Sequence, residues 1–187
     1  MRIIGGYFKG KKILEPKDKE TRPLKDLTKE SIFNILSHSN KLTVNIENSK
    51  VLDLFSGVGS FGLECLSRGA IHVTFVENYD GVLPILKKNL SNLKLDKKYE
   101  IIEQNLMTNF NFKMIKNKFD IIFLDPPYKE KDINAMVDNI FNLKILAKNG
   151  VIIIHRHKKE NDEFSQNFQI LEKKRYGISK IFFGTFN

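Results

Sequence analysis

Cysteine is almost absent from this chain: Cys65 stands alone among 187 residues. A single thiol excludes an internal disulfide framework and a cysteine-rich zinc site. Cys65 lies beside Leu63 and Leu66 in an apolar helical pattern, which reads as core filling rather than as a nucleophile. Long apolar runs are missing as well. The longest purely aliphatic one is Val151 to Ile154, far short of the roughly 20 residues that cross a bilayer. The N-terminus has no signal-peptide pattern, so a cytoplasmic location without membrane association is expected, and the sequon Asn89-Leu90-Ser91 carries no weight there. Linker-like and low-complexity breaks are also lacking, and the length suits one domain, residues 1–187, with a substantial core.

Positive charge is plentiful. The chain has 31 Lys/Arg against 22 Asp/Glu, a net charge of +9. Residues 1–50 carry 11 basic against 6 acidic side chains, residues 144–187 carry 9 against 4, and the middle carries 11 against 12. Basic ends around a near-neutral centre suit a small-molecule site flanked by surfaces for a polyanion. An ordinary lysine-rich solvated surface would produce the same counts.

Polar and apolar residues alternate in a way that predicts an α/β fold. Met1 to Ile4 and Lys11 to Leu14 can pair as a hairpin through GGYFKG, and Asp26 reads as the N-cap of a helix running to about Ser37. Strands are predicted at 50–55, 72–77, 99–103, 119–124, 150–155, 168–175 and 178–186. Helices are predicted at about 60–68, 80–93 and 132–146, with Gly69 ending the first and Pro84 in the first turn of the second. Strand, helix, strand, repeated, means a mostly parallel sheet covered by helices on both faces.

Two glycine motifs compete. Gly5 to Lys11 matches GxxxxGK, but Lys12 stands where a P-loop needs Ser or Thr, and a tight basic turn explains its glycines. Residues 51–70, VLDLFSGVGSFGLECLSRGA, place Gly57, Gly59 and Gly62 as GxGxxG between a strand and a helix, with Glu77 ending the next strand. This spacing also suits a dinucleotide, and an NAD-binding oxidoreductase is one alternative. Asp53 weighs against it. A carboxylate inside a buried strand is costly unless something compensates it, and a pyrophosphate has no use for one there, whereas a cationic ligand does. The pattern DxFxGxG, Asp53 with Phe55, Gly57 and Gly59, resembles motif I of the S-adenosylmethionine-dependent methyltransferases, whose ligand carries a sulfonium and an ammonium.

The run FDIIFLDPPY, residues 119–128, ends a buried strand on Asp125, Pro126, Pro127 and Tyr128. Ligands of open α/β sheets bind at the carboxyl edge, so these four residues are expected beside the glycine turn. Each proline restricts the residue before it. The result is a stiff pair of acceptors, the Asp125 carboxylate and the Pro126 carbonyl, with an aromatic face next to them. Such a pair suits an exocyclic amine of a nucleobase, whose lone pair is delocalised into the ring: acceptors aimed at both hydrogens turn that lone pair outward. Tyr128 would stack on the base.

DPPY resembles motif IV of the amino-methyltransferases. Together with MRIIGGYFKGKKI, RPLKDLTKESIFNIL, the glycine segment and Tyr176-Gly177, it is similar over nearly the whole chain to the bacterial small-subunit ribosomal RNA guanine-N2 methyltransferases, the RsmD type. That resemblance implies a Rossmann-like class I methyltransferase with a seven-stranded sheet and an N-terminal hairpin and helix. Residues 1–45 would form an RNA-contacting extension and residues 46–187 the catalytic core. It implies S-adenosylmethionine as cofactor and 16S rRNA as partner, within the small subunit or an assembly intermediate, with the enzyme a monomer. Asp53, Phe55, Gly57, Gly59, Glu77, Asn105 and Leu106 would border the cofactor, Glu77 at its ribose and Asn105 at its adenine amine. Asp125, Pro126, Pro127 and Tyr128 would hold the target base, and Arg2, Lys9, Lys11, Lys12, Arg22 and Lys25 the RNA. The chain departs from the family pattern at Leu24-Lys25 and Leu27-Thr28-Lys29 around Asp26, and at Gln104-Asn105, where relatives have Gly-Asp. DPPY also permits adenine-N6 methylation of DNA, but no sequence-reading domain accompanies it. His155 and His157 form an HxH pair with no further ligands nearby in sequence, so no metal is expected and a basic surface is the simpler reading.

Overall fold

The computed structural model describes residues 1–16, 24–95, 97–106, 114–115, 117–127 and 132–187. Seven strands form one sheet: β1 (Lys50–Leu54), β2 (His72–Glu77), β3 (Tyr99–Glu103), β4 (Phe119–Leu124), β5 (Leu146–His157), β6 (Phe168–Tyr176) and β7 (Ser179–Phe186). Their spatial order is β3-β2-β1-β4-β5-β7-β6. The first five run parallel, and β7 lies antiparallel between β5 and β6. Each expected strand is present.

Among the described residues four helices accompany them: α1 (Asp26–His38), α2 (Ser60–Ser67), α3 (Leu83–Asn92) and α4 (Ile133–Asn142). Alternate strand residues face opposite layers, as a period of two requires. Val51, Val73, Phe75, Ile121, Phe123 and Ile153 pack with Ile32 and Phe33 of α1, Phe61 of α2 and Leu86 of α3. Leu52, Leu54, Ile122, Leu124, Ile152 and Ile154 pack on the other face with Ile133, Val137 and Ile140 of α4. Central strands buried on both faces have no room for a polar alternation, which is why IIFL, residues 121–124, and VIII, residues 151–154, are continuously apolar. Among the described residues no helix is long and apolar enough to cross a membrane.

Two local expectations are revised. Lys25, not Asp26, occupies the N-cap of α1, and no side chain caps that end. Asp26 is already helical, and its carboxylate lies 3.8 Å from the Lys29 ammonium, so it favours the helix dipole instead of capping. The helix after β4 stops at Asn142 because Lys144 turns to φ 52 and Leu146 already pairs with Phe119, which starts β5 earlier than its apolar run. The N-terminal hairpin is a single antiparallel bridge, Arg2 to Lys12, supported by the Ile3 amide donating to Lys11 and the Ile13 amide donating to Met1.

What holds that N-terminal segment is α2. Glu64, fully buried, accepts from the amides of Ile4 at 2.8 Å and Gly5 at 2.7 Å and from Arg68 Nε at 2.9 Å. Ser67 donates to the Gly5 carbonyl and accepts from the Phe8 amide, while its own carbonyl accepts from Tyr7. At Gly6, φ +72, a Cβ would stand 1.9 Å from the Ser67 carbonyl oxygen. The first glycine motif is therefore a docking turn against α2. Lys29 closes the network, its ammonium 2.6 Å from the Arg2 carbonyl and 3.6 Å from Glu64. Burial pushes the Lys29 ammonium down, and Glu64 and Asp26 pull it back up.

Candidate active site at the carboxyl edge of the sheet

The chain order reverses between β1 and β4: from β1 it proceeds outward to β2 and β3, and β4 starts the other half. In open α/β sheets the crevice at such a point is where ligands bind. The glycine turn leaves β1 there, and Asp125 leaves β4 beside it, its amide 3.4 Å from the Leu54 carbonyl.

Asp53 lies at the second-last position of β1 and is 1% exposed. Its Oδ2 accepts from the Gly62 amide at 3.0 Å. Burial pushes its carboxyl up to about 8; the Gly62 bond opposes that rise, and the charges of Asp125 and Glu77 add to it. The carboxyl group that the sequence offers to a cationic ligand is thus enclosed beneath the turn, bonded to an amide of the first turn of α2.

The turn is sharp. Phe55 has φ 61, unusual for an aromatic residue, and Gly57 and Gly59 follow with φ 55 and 83. A side chain at Gly59 would also meet Leu86 at 2.6 Å, so α2 starts close against α3 only because that position is bare. Glu77, ending β2, spans the gap: Oε2 accepts from the Gly57 amide at 2.8 Å, and Oε1 from the amides of Asn78 and Tyr79 at 2.8 and 3.0 Å. Asp53, Glu77 and Asp125 therefore converge from three strands. Asn105, half-buried, follows β3, and Leu106 next to it packs into the core on the α4 face.

Pro126 is buried and Pro127 exposed, and Asp125, its side chain 22% exposed, stands at the crevice. Tyr128 and Arg22 lie outside the described residues. Arg2, Lys9, Lys11, Lys12 and Lys25 are all exposed, and Lys11 sits 5.2 Å over the Phe8 ring.

One residue at this site escaped the sequence reading. His155 is not surface: it is 8% exposed, its Nδ1 is 2.8 Å from Asp125 Oδ1, and its Nε2 is 2.8 Å from Ser179 Oγ. His157 is engaged elsewhere, its Nδ1 accepting from the Lys159 amide. A signal was available in the parallel runs IIFLD and VIIIH, whose register pairs Leu124 with Ile154 and so sets Asp125 beside His155.

Residues 1–185 match the family described as Conserved hypothetical protein 95. The Ribosomal RNA small subunit methyltransferase D of Haemophilus influenzae is 34% identical over 183 residues, covering 95% of this chain and 90% of the relative. Its namesake in Buchnera aphidicola is 35% identical over 173 residues, covering 92% and 86%. The chain belongs to this RsmD-type methyltransferase family. The methyltransferase fold is matched by a solved structure, yhhF of Escherichia coli, described as a candidate methyltransferase. Its TM-score is 0.80 at 26% identity, over 98% of this chain and 96% of that one. In this RsmD-type chain the glycine turn, Glu77 and Asp125 are the groups that the fold gathers at one edge.

Proposed function

We propose that this methyltransferase uses S-adenosylmethionine to methylate the exocyclic N2 amine of a guanine in 16S rRNA, in the small ribosomal subunit or an assembly intermediate. The cofactor supplies a methyl group on a sulfonium, which becomes a neutral thioether when the amine takes that methyl. The residues present suit it. Burial, with the charges of Asp125 and Glu77 adding to it, keeps Asp53 protonated near neutral pH, and a ligand bearing two positive groups at this crevice favours the ionised carboxylates. Gly57, held by Glu77, leaves backbone where a close approach is needed.

The observation that carries the reading is the position of Asp125 and Pro126 at the crevice between β1 and β4, next to the glycine turn. Asp125 and the Pro126 carbonyl accept the two amine hydrogens, which turns the nitrogen lone pair toward the cofactor's edge of the sheet. After transfer the nitrogen sheds one proton, for which the Asp125 carboxylate is the adjacent acceptor. The names of the relatives favour rRNA as substrate, and the exposed Arg2, Lys9, Lys11, Lys12 and Lys25 suit its phosphates.

Labelled cofactor incubated with undermethylated small subunits tests this. Label in 16S rRNA that digests to N2-methylguanosine is expected; label on DNA or protein, or on another position of the base, refutes it.

A further inference from the structure

We infer that His155 is a positioning residue for methyl transfer, fixing the Asp125 carboxylate so that one oxygen alone faces the target amine, and that Ser179 fixes the His155 ring in turn. This rests on the reading of Asp125 as the acceptor for that amine.

A carboxylate at the end of a strand turns freely about its last torsion, which has broad, two-fold preferences. The prolines after Asp125 restrain its backbone but leave that torsion open. His155 closes it. Its Nδ1 takes Asp125 Oδ1 at 2.8 Å, and the ring cannot swing away because Nε2 is held by Ser179 Oγ at 2.8 Å. The three groups come from three adjoining strands: Asp125 follows β4, His155 lies in β5, and Ser179 opens β7. His155 and Ser179 are 8% and 6% exposed, so water competes little for either bond. A site carried on packed strands holds its geometry better than one carried on loops.

The proton positions follow from the partners. An ionised carboxylate only accepts, so Nδ1 carries the ring hydrogen and donates to Asp125. In the neutral ring Nε2 then accepts from the Ser179 hydroxyl. Oδ1 of Asp125 is thereby occupied and Oδ2 remains for the amine. A carboxylate misplaced by about 1 Å costs up to about a hundredfold in rate, so the effect belongs in kcat rather than in binding.

Asparagine superposes its amide nitrogen on Nδ1 of histidine, whereas glutamine reaches Nε2. On rRNA substrate, His155→Asn is expected to keep kcat within about threefold, while His155→Gln and His155→Ala lose about tenfold to a hundredfold. KM for the subunit and the affinity for S-adenosylhomocysteine stay unchanged in all three. Ser179→Ala gives a smaller loss in kcat. Full activity in His155→Ala, an equal loss in His155→Asn and His155→Ala with both folded, or a change confined to KM overturns the inference while leaving the functional reading intact. No transfer to rRNA by the unaltered enzyme overturns that reading and the positioning role with it. The imidazole nitrogen shifts of the free protein, assigned by their loss in His155→Asn, test the geometry independently of any substrate. The Nδ1–H form is expected, converting to a mixture in Ser179→Ala; an Nε2–H form in the unaltered protein refutes the arrangement.

Discussion

Asp53→Asn removes a buried ionisable group while keeping the size of the side chain and an oxygen for the Gly62 amide. The Asp53 carboxyl is held at about 8 in the folded protein, chiefly by burial, against about 3.9 in an unfolded chain. A folded value raised in this way means that stability is greatest below the unfolded value and falls as pH rises toward the folded one. Each pH unit in that window costs about 1.4 kcal/mol. Between about pH 5 and about pH 8 the loss attributable to this one group is therefore on the order of 4 kcal/mol. The asparagine variant does not titrate and escapes the loss. Its stability relative to the unaltered protein should rise steadily across that interval, most other titrating groups cancelling in the difference. Denaturant unfolding of both proteins at a series of pH values measures it. A difference that is flat with pH refutes the assignment of Asp53 as a desolvated acid. The same variant is expected to bind S-adenosylmethionine more weakly, because the crevice has lost a charge that a cationic ligand could draw out.

Cofactor binding at about pH 6.5, where Asp53 is protonated, should release close to one proton, read as a binding heat that varies with the ionisation enthalpy of the buffer; Asp53→Asn should abolish that variation. Replacing Lys9, Lys11 and Lys12 together by alanine should weaken rRNA binding and lower its log–log salt slope by up to about 2, with S-adenosylhomocysteine affinity unchanged. An unaltered slope would place the RNA elsewhere. Glu64→Gln keeps the shape of the buried acceptor but removes the charge facing Lys29 and Arg68 and turns an N–H toward the Ile4 or Gly5 amide. A loss of about 3 kcal/mol in unfolding free energy is expected, and a denaturation midpoint equal to that of the parent would contradict the docking role of this carboxylate.

The sheet and its ligand edge were legible because both depend on short-range pattern. Continuous apolar runs such as IIFL, residues 121–124, state that both faces of a strand are covered, and a glycine turn after one strand with an Asp-Pro turn after another locates the crevice once the strand order is known. Features that depend on partners distant in sequence were not legible. Gly5 and Gly6 looked like a turn, yet their backbone is fixed by Glu64 and Ser67, about sixty residues away. Asp26 has the chemistry of an N-cap, but Lys29 draws it into the first turn of α1. Asp53 suggested a group for a cationic ligand, and the bond its Oδ2 accepts from the Gly62 amide, nine residues on, was not visible in the sequence.

His155 shows how the missing information could be supplied. Read alone, a histidine at the end of an apolar strand is ambiguous between surface, metal ligand and core. Read in register, it is not. Two parallel central strands that each give four apolar residues and then a polar one pair in register, so their first polar residues emerge side by side at the carboxyl edge. Where one of those is the aspartate of a ligand motif, its neighbour on the next strand is the first candidate for the group that orients it. Ser179 follows by the same reasoning one strand further, because β7 begins where β5 ends and runs back along it. The Asp125–His155–Ser179 chain is thus a consequence of strand register, with His155 and Ser179 on strands and Asp125 on the first residue past the end of β4.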